Sequence, residues 1–311
     1  MHKNPRGFIL AMAFTLCGCV KTLSLDDALT MVPYQIQPSG RILVDVQLNN
    51  DGPHQFALDT AATISVVTDE LRYKLEIEAI AQSSATVHGA VTSGEFPLLS
   101  IRRLQVGDAT WVDAQLVALP QGTAAMSNID GLLGIDFLRK YAVGFSAQDR
   151  VLRLYSPRSV RNESYQGWVS IPLQARRFGD SRQPLYFLDI RIGDRAVPAL
   201  FDLGSSQNIM NWPAARSLRL MPVDVEDEAE LSGAIAGQEV LVRFDSADVL
   251  TANTRWRNEQ FLIADLEIFS TLGYSDRPLA ILGSGLFQQR DFVIDFARNR
   301  LLVDISRAEI E

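Results

Sequence analysis

Residues that carry common enzyme chemistry are scarce in this 311-residue sequence. It has two cysteines, Cys17 and Cys19, both near the N-terminus, and three histidines, of which only His54 and His88 lie in the body of the chain. This pattern leaves no thiol for catalysis and no disulfide. The histidines lack the spacing of zinc ligands, and G-x-S-x-G and glycine-rich phosphate-binding motifs are missing. We therefore expect neither a metal nor another cofactor.

Basic residues and long apolar runs are also in short supply. The chain has 29 lysines and arginines against 37 aspartates and glutamates, which gives a formal net charge of −8 at pH 7. Nucleic-acid binding depends on a basic surface, so a nucleic acid is not an expected partner. No segment contains the roughly 18 consecutive apolar residues that a membrane-spanning helix needs.

The first residues have the layout of a secretory signal. A basic start, MHKNPRG, is followed by the apolar FILAMAFTL and then by LCGC, residues 16–19. This ending resembles the lipobox of bacterial lipoproteins, in which Cys19 would be acylated. The apolar run of about ten residues is too short to span a bilayer. We predict a signal peptide at 1–18, a tether and lead-in at 19–40, and a lipid anchor in the cell envelope. By resemblance to the known sorting pattern, Val20 indicates the outer membrane, facing the periplasm.

Short β-type runs separated by turns fill the remaining sequence. RILVDVQLNN, WVDAQLVAL and RVLRLY are examples, and such runs at regular spacing predict an all-β fold. Two short helices are expected to interrupt the strands, around Asp69–Leu75 and Asp136–Tyr141.

The sequence contains two copies of one β unit. FALDTAATISVVT matches LFDLGSSQNIMN at an offset of 143 residues, which aligns Asp59 with Asp202. A glycine-containing turn follows each stretch, VHGAVTSGE and LSGAIAGQE, and each half then closes on an apolar-apolar-Gly segment that ends at Gly134 or Gly283. Three landmarks in the same order indicate a genuine repeat.

The repeat divides the chain into two lobes. The predicted boundaries are an N-terminal lobe at 41–155, a linker at 156–167, a C-terminal lobe at 168–305 and a tail at 306–311.

Two aspartates on matched turns can form a catalytic pair. Carboxyl groups about 3 Å apart cannot both ionise, so they share one proton and titrate as a unit. The charged partner can take a proton from a bound water, while the protonated partner donates to the carbonyl that the water attacks. Asp59 after QFAL and Asp202 after PALF fit this chemistry, since each follows an apolar strand. Asp130 and Asp295 lie outside the matched repeat positions, and we interpret both as structural.

These motifs resemble the tandem retropepsin-like aspartic peptidases of exported bacterial proteins, with both lobes in one polypeptide as in pepsin. The resemblance implies an all-β fold of two β-barrel lobes with short helices, and Asp59 and Asp202 as the catalytic pair. It also implies a monomer whose two lobes enclose a cleft for an extended peptide or protein substrate. The implied supporting residues of the two loops are Thr60, Ala61, Gly204 and Ser205. Those of the flap over the substrate are His88, Gly89, Ala90, Gly233 and Ala234.

The two motifs depart from the family pattern, Asp-Thr/Ser-Gly, in opposite ways. The first reads Asp59-Thr60-Ala61 and the second Asp202-Leu203-Gly204. In the family the two hydroxyl groups make reciprocal hydrogen bonds beneath the pair. Leu203 can neither donate nor accept, so at most half of this arrangement remains, at a cost of about 1 kcal/mol for each lost bond. Ala61 would be strained if the backbone there needed a positive φ.

Three functions remain open from the sequence. The first is an active aspartic endopeptidase, which both aspartates favour. The second is a catalytically weak or inactive module that binds a peptide or protein in the same cleft, which Leu203 favours. The third is an envelope scaffold, which no specific residue favours.

Overall fold

The computed structural model describes residues 28–88, 93–120, 126–157, 159–160, 165–220, 228–232 and 238–306, with 228–232 and 238–246 described through their backbone. Cys19 and the flap residues Gly89, Ala90, Gly233 and Ala234 lie outside these ranges. Among the described residues, no helix has the length and apolar character needed to cross a membrane.

The N-terminal lobe is a closed barrel of six strands. Its members are β2 (Ile42–Leu48), β3 (Asp51–Leu58), β4 (Val66–Thr68), β6 (Ser93–Val106), β7 (Ala109–Leu119) and β8 (Gly131–Leu133). They follow the order β2-β3-β8-β4-β7-β6, and β6 pairs back with β2 to close the barrel. A further strand, β5 (Ala79–His88), extends from the barrel as a hairpin with β6.

The C-terminal lobe repeats this topology. Its barrel consists of β13 (Leu185–Ile192), β14 (Arg195–Asp202), β15 (Asn208–Met210), β17 (Gln238–Thr251), β18 (Thr254–Ile263) and β19 (Ala280–Gly283). The order β13-β14-β19-β15-β18-β17 is closed by pairing of β13 with β17. The strands β12 (Gln174–Arg176) and β16 (Glu228–Ser232) pair with β13 and β17, respectively. The predicted all-β fold of two barrel lobes in one chain is confirmed.

A third group of six strands joins the lobes. It contains β1 (Thr30–Ile36), β9 (Ala142–Ser146), β10 (Val151–Tyr155), β11 (Trp168–Pro172), β20 (Phe292–Asp295) and β21 (Arg300–Asp304), in the order β11-β21-β20-β9-β10-β1. The lobes meet where β9 pairs with β20, and there Phe145 stacks on Phe292 with ring centroids 4.3 Å apart. The sequence analysis did not predict this sheet, and its strand β1 falls within the stretch assigned to the tether.

In the part of the chain that the structure describes, four short α-helices lie between strands. They are α1 (Asp69–Lys74), α2 (Ile135–Leu138), α3 (Trp212–Leu218) and α4 (Glu267–Thr271). The two expected helices are confirmed as α1 and α2, whereas α3 and α4 were not predicted. The start of α3 had a readable signal, because Asn211 caps it and a proline stands in its first turn. The start of α4 has no side-chain cap.

Candidate active site

Buried strands deliver both aspartates to the junction of the barrels. Asp59 directly follows β3, whose last three residues are buried, and Asp202 ends β14. In each lobe the apolar-apolar-Gly segment runs parallel beside the aspartate-bearing strand, as β8 beside β3 and as β19 beside β14. The two halves therefore present their aspartates by the same local architecture.

Backbone amides hold the two carboxyl groups in the same way. Asp59 Oδ1 accepts from the N–H groups of Ala61 and Ala62, both at 2.8 Å. Asp202 Oδ1 accepts from those of Gly204 at 2.8 Å and Ser205 at 3.2 Å. Each side chain is thus fixed by its own turn, which pre-orients the pair before any ligand binds.

The two carboxyl groups interact. Burial raises the pKa of both; hydrogen bonding with Asp202 acts against the rise at Asp59, and the charge of Asp59 raises the pKa of Asp202 further. A hydrogen bond between two carboxyl groups requires a proton on one of them. Gly204 makes this approach possible, because a Cβ at that position would lie 2.4 Å from Asp59 Cγ and 2.6 Å from its Oδ2. The glycine that the second motif retains is therefore the one on which the first aspartate packs.

The first motif accommodates Ala61 in place of the glycine of the family pattern. It does not adopt a positive φ, so the strain considered from sequence does not arise. Its side chain packs against an apolar cluster of the C-terminal lobe that includes Leu200 and Ile281. Ala61 thereby contributes to the contact between the lobes.

Half of the reciprocal hydrogen bonding beneath the pair is present. The hydroxyl of Thr60 is fully buried, donates to the carbonyl of Phe201 at 2.8 Å, and accepts from the N–H of Leu203 at 2.9 Å. The Leu203 side chain is also fully buried, within the main apolar core. One threonine therefore links the first loop to the backbone of the second loop on both sides of Asp202.

A matched pair of polar side chains supports the loops from behind, and sequence reasoning missed it. Ser65 Oγ accepts from the N–H of Gly134, and Asn208 Oδ1 accepts from that of Gly283, both at 3.0 Å. Ser65 and Asn208 are 143 residues apart, the same offset as the aspartates. The signal was present, but the residue types differ, so a search for identical residues passes over it.

Ser205 contacts Asp202, whereas His88 contacts Ser93. The hydroxyl of Ser205 donates to the carbonyl of Gln207 at 2.8 Å, so Ser205 orients Asp202 through its backbone amide alone. His88 ends β5 and is exposed, with Nδ1 2.9 Å from Ser93 Oγ. Asp130 and Asp295 lie apart from the pair: Asp130 accepts from the N–H of Gln55, and buried Asp295 forms ion pairs with arginines.

Burial keeps protons on the aspartate pair. Removal from solvent is the largest effect on both groups, and it raises the pKa of Asp59 above its ordinary value and that of Asp202 to about 8. The charge of Asp59 raises the pKa of Asp202 further. The amide hydrogen bonds of each loop and the cation of Arg41 act in the opposite direction. The pair can therefore hold a shared proton near neutral pH.

Arg41 is a site residue that sequence reasoning missed. It precedes β2 at the tip of the β1–β2 hairpin, and its charge interacts with both aspartates. The tip is anchored on the other lobe, because the carbonyl of Gly40 accepts from Ser284 Oγ at 2.8 Å and Gln288 Nε2 at 2.6 Å. The repeat could not indicate Arg41, since the position 143 residues later is Pro184.

No cluster of three or more histidine, cysteine or acidic side chains suited to a metal ion occurs in the part of the chain that the structure describes. At the junction of the lobes, the guanidinium of Arg41 interacts with both aspartates.

Comparisons with known proteins agree with this geometry. Residues 44–140, less than half of the chain, match the family model described as a gag-polyprotein putative aspartyl protease. A search of curated protein sequences finds no match.

Solved structures of two plant proteins share the fold of the whole chain. One is conglutin gamma, a basic 7S globulin from lupine seeds, with a TM-score of 0.50 and 13% identity over 88% of this chain and 94% of that one. The other is the basic 7S globulin from soybean, with a TM-score of 0.50 and 12% identity over 89% and 94%. The N-terminal lobe is thus similar in sequence to an aspartyl-protease family, and the chain as a whole has the two-lobed fold of these globulins.

Proposed function

We propose that this protein is an aspartic endopeptidase of the cell envelope that hydrolyses peptide bonds with a water activated between Asp59 and Asp202. The observation that carries the proposal is the packing of the Asp59 carboxyl group against Gly204 of the Asp202 loop, with both aspartates held by matched backbone amides. The similarity of residues 44–140 to an aspartyl-protease family supports it.

The reaction needs one proton on the pair. The ionised aspartate accepts a proton from the water, whose oxygen attacks the peptide carbonyl, while the protonated aspartate donates to the carbonyl oxygen. A tetrahedral intermediate forms, and its collapse releases an amine and a carboxylic acid. The raised pKa values of Asp59 and Asp202 supply the singly protonated state that both roles require.

The substrate in this proposal is a peptide or protein segment in extended conformation, bound between the lobes of a monomer. Open backbone groups of β-hairpins bind such a segment by main-chain hydrogen bonds. The predicted lipid anchor at Cys19 would hold the enzyme at the membrane, on the periplasmic face of the outer membrane.

The decisive experiment is cleavage of a peptide library by residues 20–311, a chain that contains every residue the structure describes. Assays from acidic to neutral pH would compare the wild type with Asp59→Asn and Asp202→Asn. We expect each substitution to abolish cleavage, because each removes one half of the acid–base pair. Asp194→Asn is the matched control, since its side chain is 94% exposed. Cleavage that survives in either dyad variant would refute the mechanism.

A second candidate is a peptide-binding module without hydrolysis, and Leu203 is the observation that favours it. With no hydroxyl at this position, the second loop takes part in the hydrogen bonding beneath the pair through its backbone alone. If the wild type cleaves nothing, peptides retained by immobilised wild-type protein would identify this function. Asp59→Asn protein would then retain the same peptides.

A further inference from the structure

A polar contact outside the aspartate pair joins the two lobes. Ser93 begins β6 in the N-terminal lobe, and Glu267 begins α4 in the C-terminal lobe. The Ser93 hydroxyl donates to Glu267 Oε1 at a distance of 2.5 Å. His88 Nδ1 lies 2.9 Å from the same hydroxyl oxygen. His88 and Ser93 are also backbone partners across the β5–β6 hairpin.

The direction of these hydrogen bonds follows from proton counting. A serine hydroxyl has one proton, and Ser93 donates it to the Glu267 carboxylate. The hydroxyl oxygen must then accept from His88, so Nδ1 of His88 carries a hydrogen. The three side chains form a directional chain in which His88 fixes the orientation of the Ser93 hydroxyl.

Apolar packing places this contact beside the aspartate loops. The hairpin residues Val87, Phe96 and Leu98 pack on a cluster of the N-terminal lobe, as does Ile64, five residues after Asp59. In the other lobe, Ile268 of α4 packs on the same cluster as Ala61 of the first aspartate loop. The contact therefore links the two apolar clusters that flank the pair.

We propose that Ser93 and Glu267 are positioning residues, which hold the β5–β6 hairpin of one lobe against α4 of the other across the aspartate site. The proposal rests on the proposed peptidase function. A peptide bound at the pair would lie between the hairpin and the C-terminal lobe, and the Ser93–Glu267 contact would keep it enclosed. Breaking the contact weakens the hold on substrate while leaving the pair itself intact.

Substitution at Glu267 tests this role. We expect Glu267→Ala to lower kcat/KM roughly tenfold, mainly through KM, because a hydrogen bond to a charged group is lost. Glu267→Gln should recover most of this loss, since its amide oxygen still accepts from Ser93. Glu70→Gln is the matched control, because Glu70 is an exposed acid in the first turn of α1. Wild-type kinetics in Glu267→Ala, or no recovery in Glu267→Gln, would overturn the proposal.

Crosslinking tests the contact without relying on catalysis. Residues 20–311 contain no cysteine, so Ser93→Cys and Glu267→Cys would supply the only two thiols. We expect a short, reducible bifunctional thiosulfonate to link them in the double variant, to abolish cleavage, and to restore cleavage on reduction. Each single-cysteine variant is the control. No link, or undiminished cleavage by the linked protein, refutes the role. A link in protein that never cleaves supports the contact but removes the proposed function.

Discussion

Two aspartates of the C-terminal lobe have contrasting neighbours. Asp295 is fully buried and forms ion pairs with Arg298 at 3.2 Å and Arg300 at 2.9 Å. Asp202 instead faces Asp59, and burial raises its pKa to about 8. Asp295 is thus paired with two cations, whereas Asp202 interacts with a second carboxyl group.

Asp202→Asn should stabilise the protein at neutral pH. The folded-state pKa of Asp202 is raised, so between its ordinary value and about pH 8 the unfolded chain binds fewer protons than the native protein. Stability therefore falls as pH rises through this window. Asparagine removes the penalty and can still accept from Gly204 and Ser205. We expect the substitution to increase the free energy of unfolding by at least about 1 kcal/mol at pH 8 and by less at pH 4, measured by urea unfolding.

Asp295→Asn is the contrasting control for that measurement. It breaks the ion pair between Asp295 and Arg300, whose side chain is 14% exposed. Breaking a buried pair costs about 3–5 kcal/mol. Stabilisation by Asp295→Asn comparable to that by Asp202→Asn would contradict our account of both groups.

Arg41→Met should raise the pKa values of the aspartate pair. The guanidinium favours the ionised form of both Asp59 and Asp202, so its removal favours protonation. We expect the pH profile of cleavage to move to higher pH, and ¹³C NMR titration of the labelled carboxyl groups to show the same shift without substrate. Arg41→Lys retains the cation and should stay close to the wild type. An unchanged carboxyl titration in Arg41→Met would show that the charge has no such effect.

At the scale of elements, Thr60 carries the connection between the aspartate loops. Thr60→Val would leave the buried carbonyl of Phe201 and the N–H of Leu203 without partners, at about 1–3 kcal/mol for each group. Thr60→Ser keeps the hydroxyl and should lose much less. Thermal and urea unfolding would measure the difference. A smaller loss in Thr60→Val than in Thr60→Ser would mean that the methyl group, rather than the hydroxyl, provides the stabilisation.

The elements that repeat were the ones that the sequence could predict. Asp59, Asp202 and the paired apolar-apolar-Gly segments follow from the repeat, and the two barrels follow from the family resemblance of these motifs. Arg41 and Glu267 could not be found in this way, because each acts on the other lobe and has no counterpart in the repeat. Contacts between halves depend on how the barrels pack, and a pattern common to both halves contains no information about that packing.

At the scale of the whole molecule, the shared six-stranded sheet determines how the aspartates meet. Strands β9 and β10 of one half and β20 and β21 of the other lie in register within it. A hydrogen bond from the N–H of Ala147 to Asp291 Oδ1, 2.8 Å long, adds to the join. Because a carboxyl pair needs both loops at hydrogen-bonding distance, the site exists only while this sheet is intact.

Phe292→Ala should therefore uncouple the lobes. Phe292 is 2% exposed and contacts both Phe145 and Phe287, so its truncation should cost about 3–5 kcal/mol. Two single-tryptophan proteins would follow the unfolding of each lobe by fluorescence. One retains only Trp111, in the N-terminal lobe, and the other retains only Trp212, in the C-terminal lobe. When Phe292 is present, we expect the two lobes to unfold at the same urea concentration. In Phe292→Ala, we expect two separate unfolding transitions. Exposed Val112, on β7 away from the shared sheet, gives the control Val112→Ala, which should leave them coincident. Coincident transitions in Phe292→Ala would show that the remaining contacts between the lobes are sufficient to couple them.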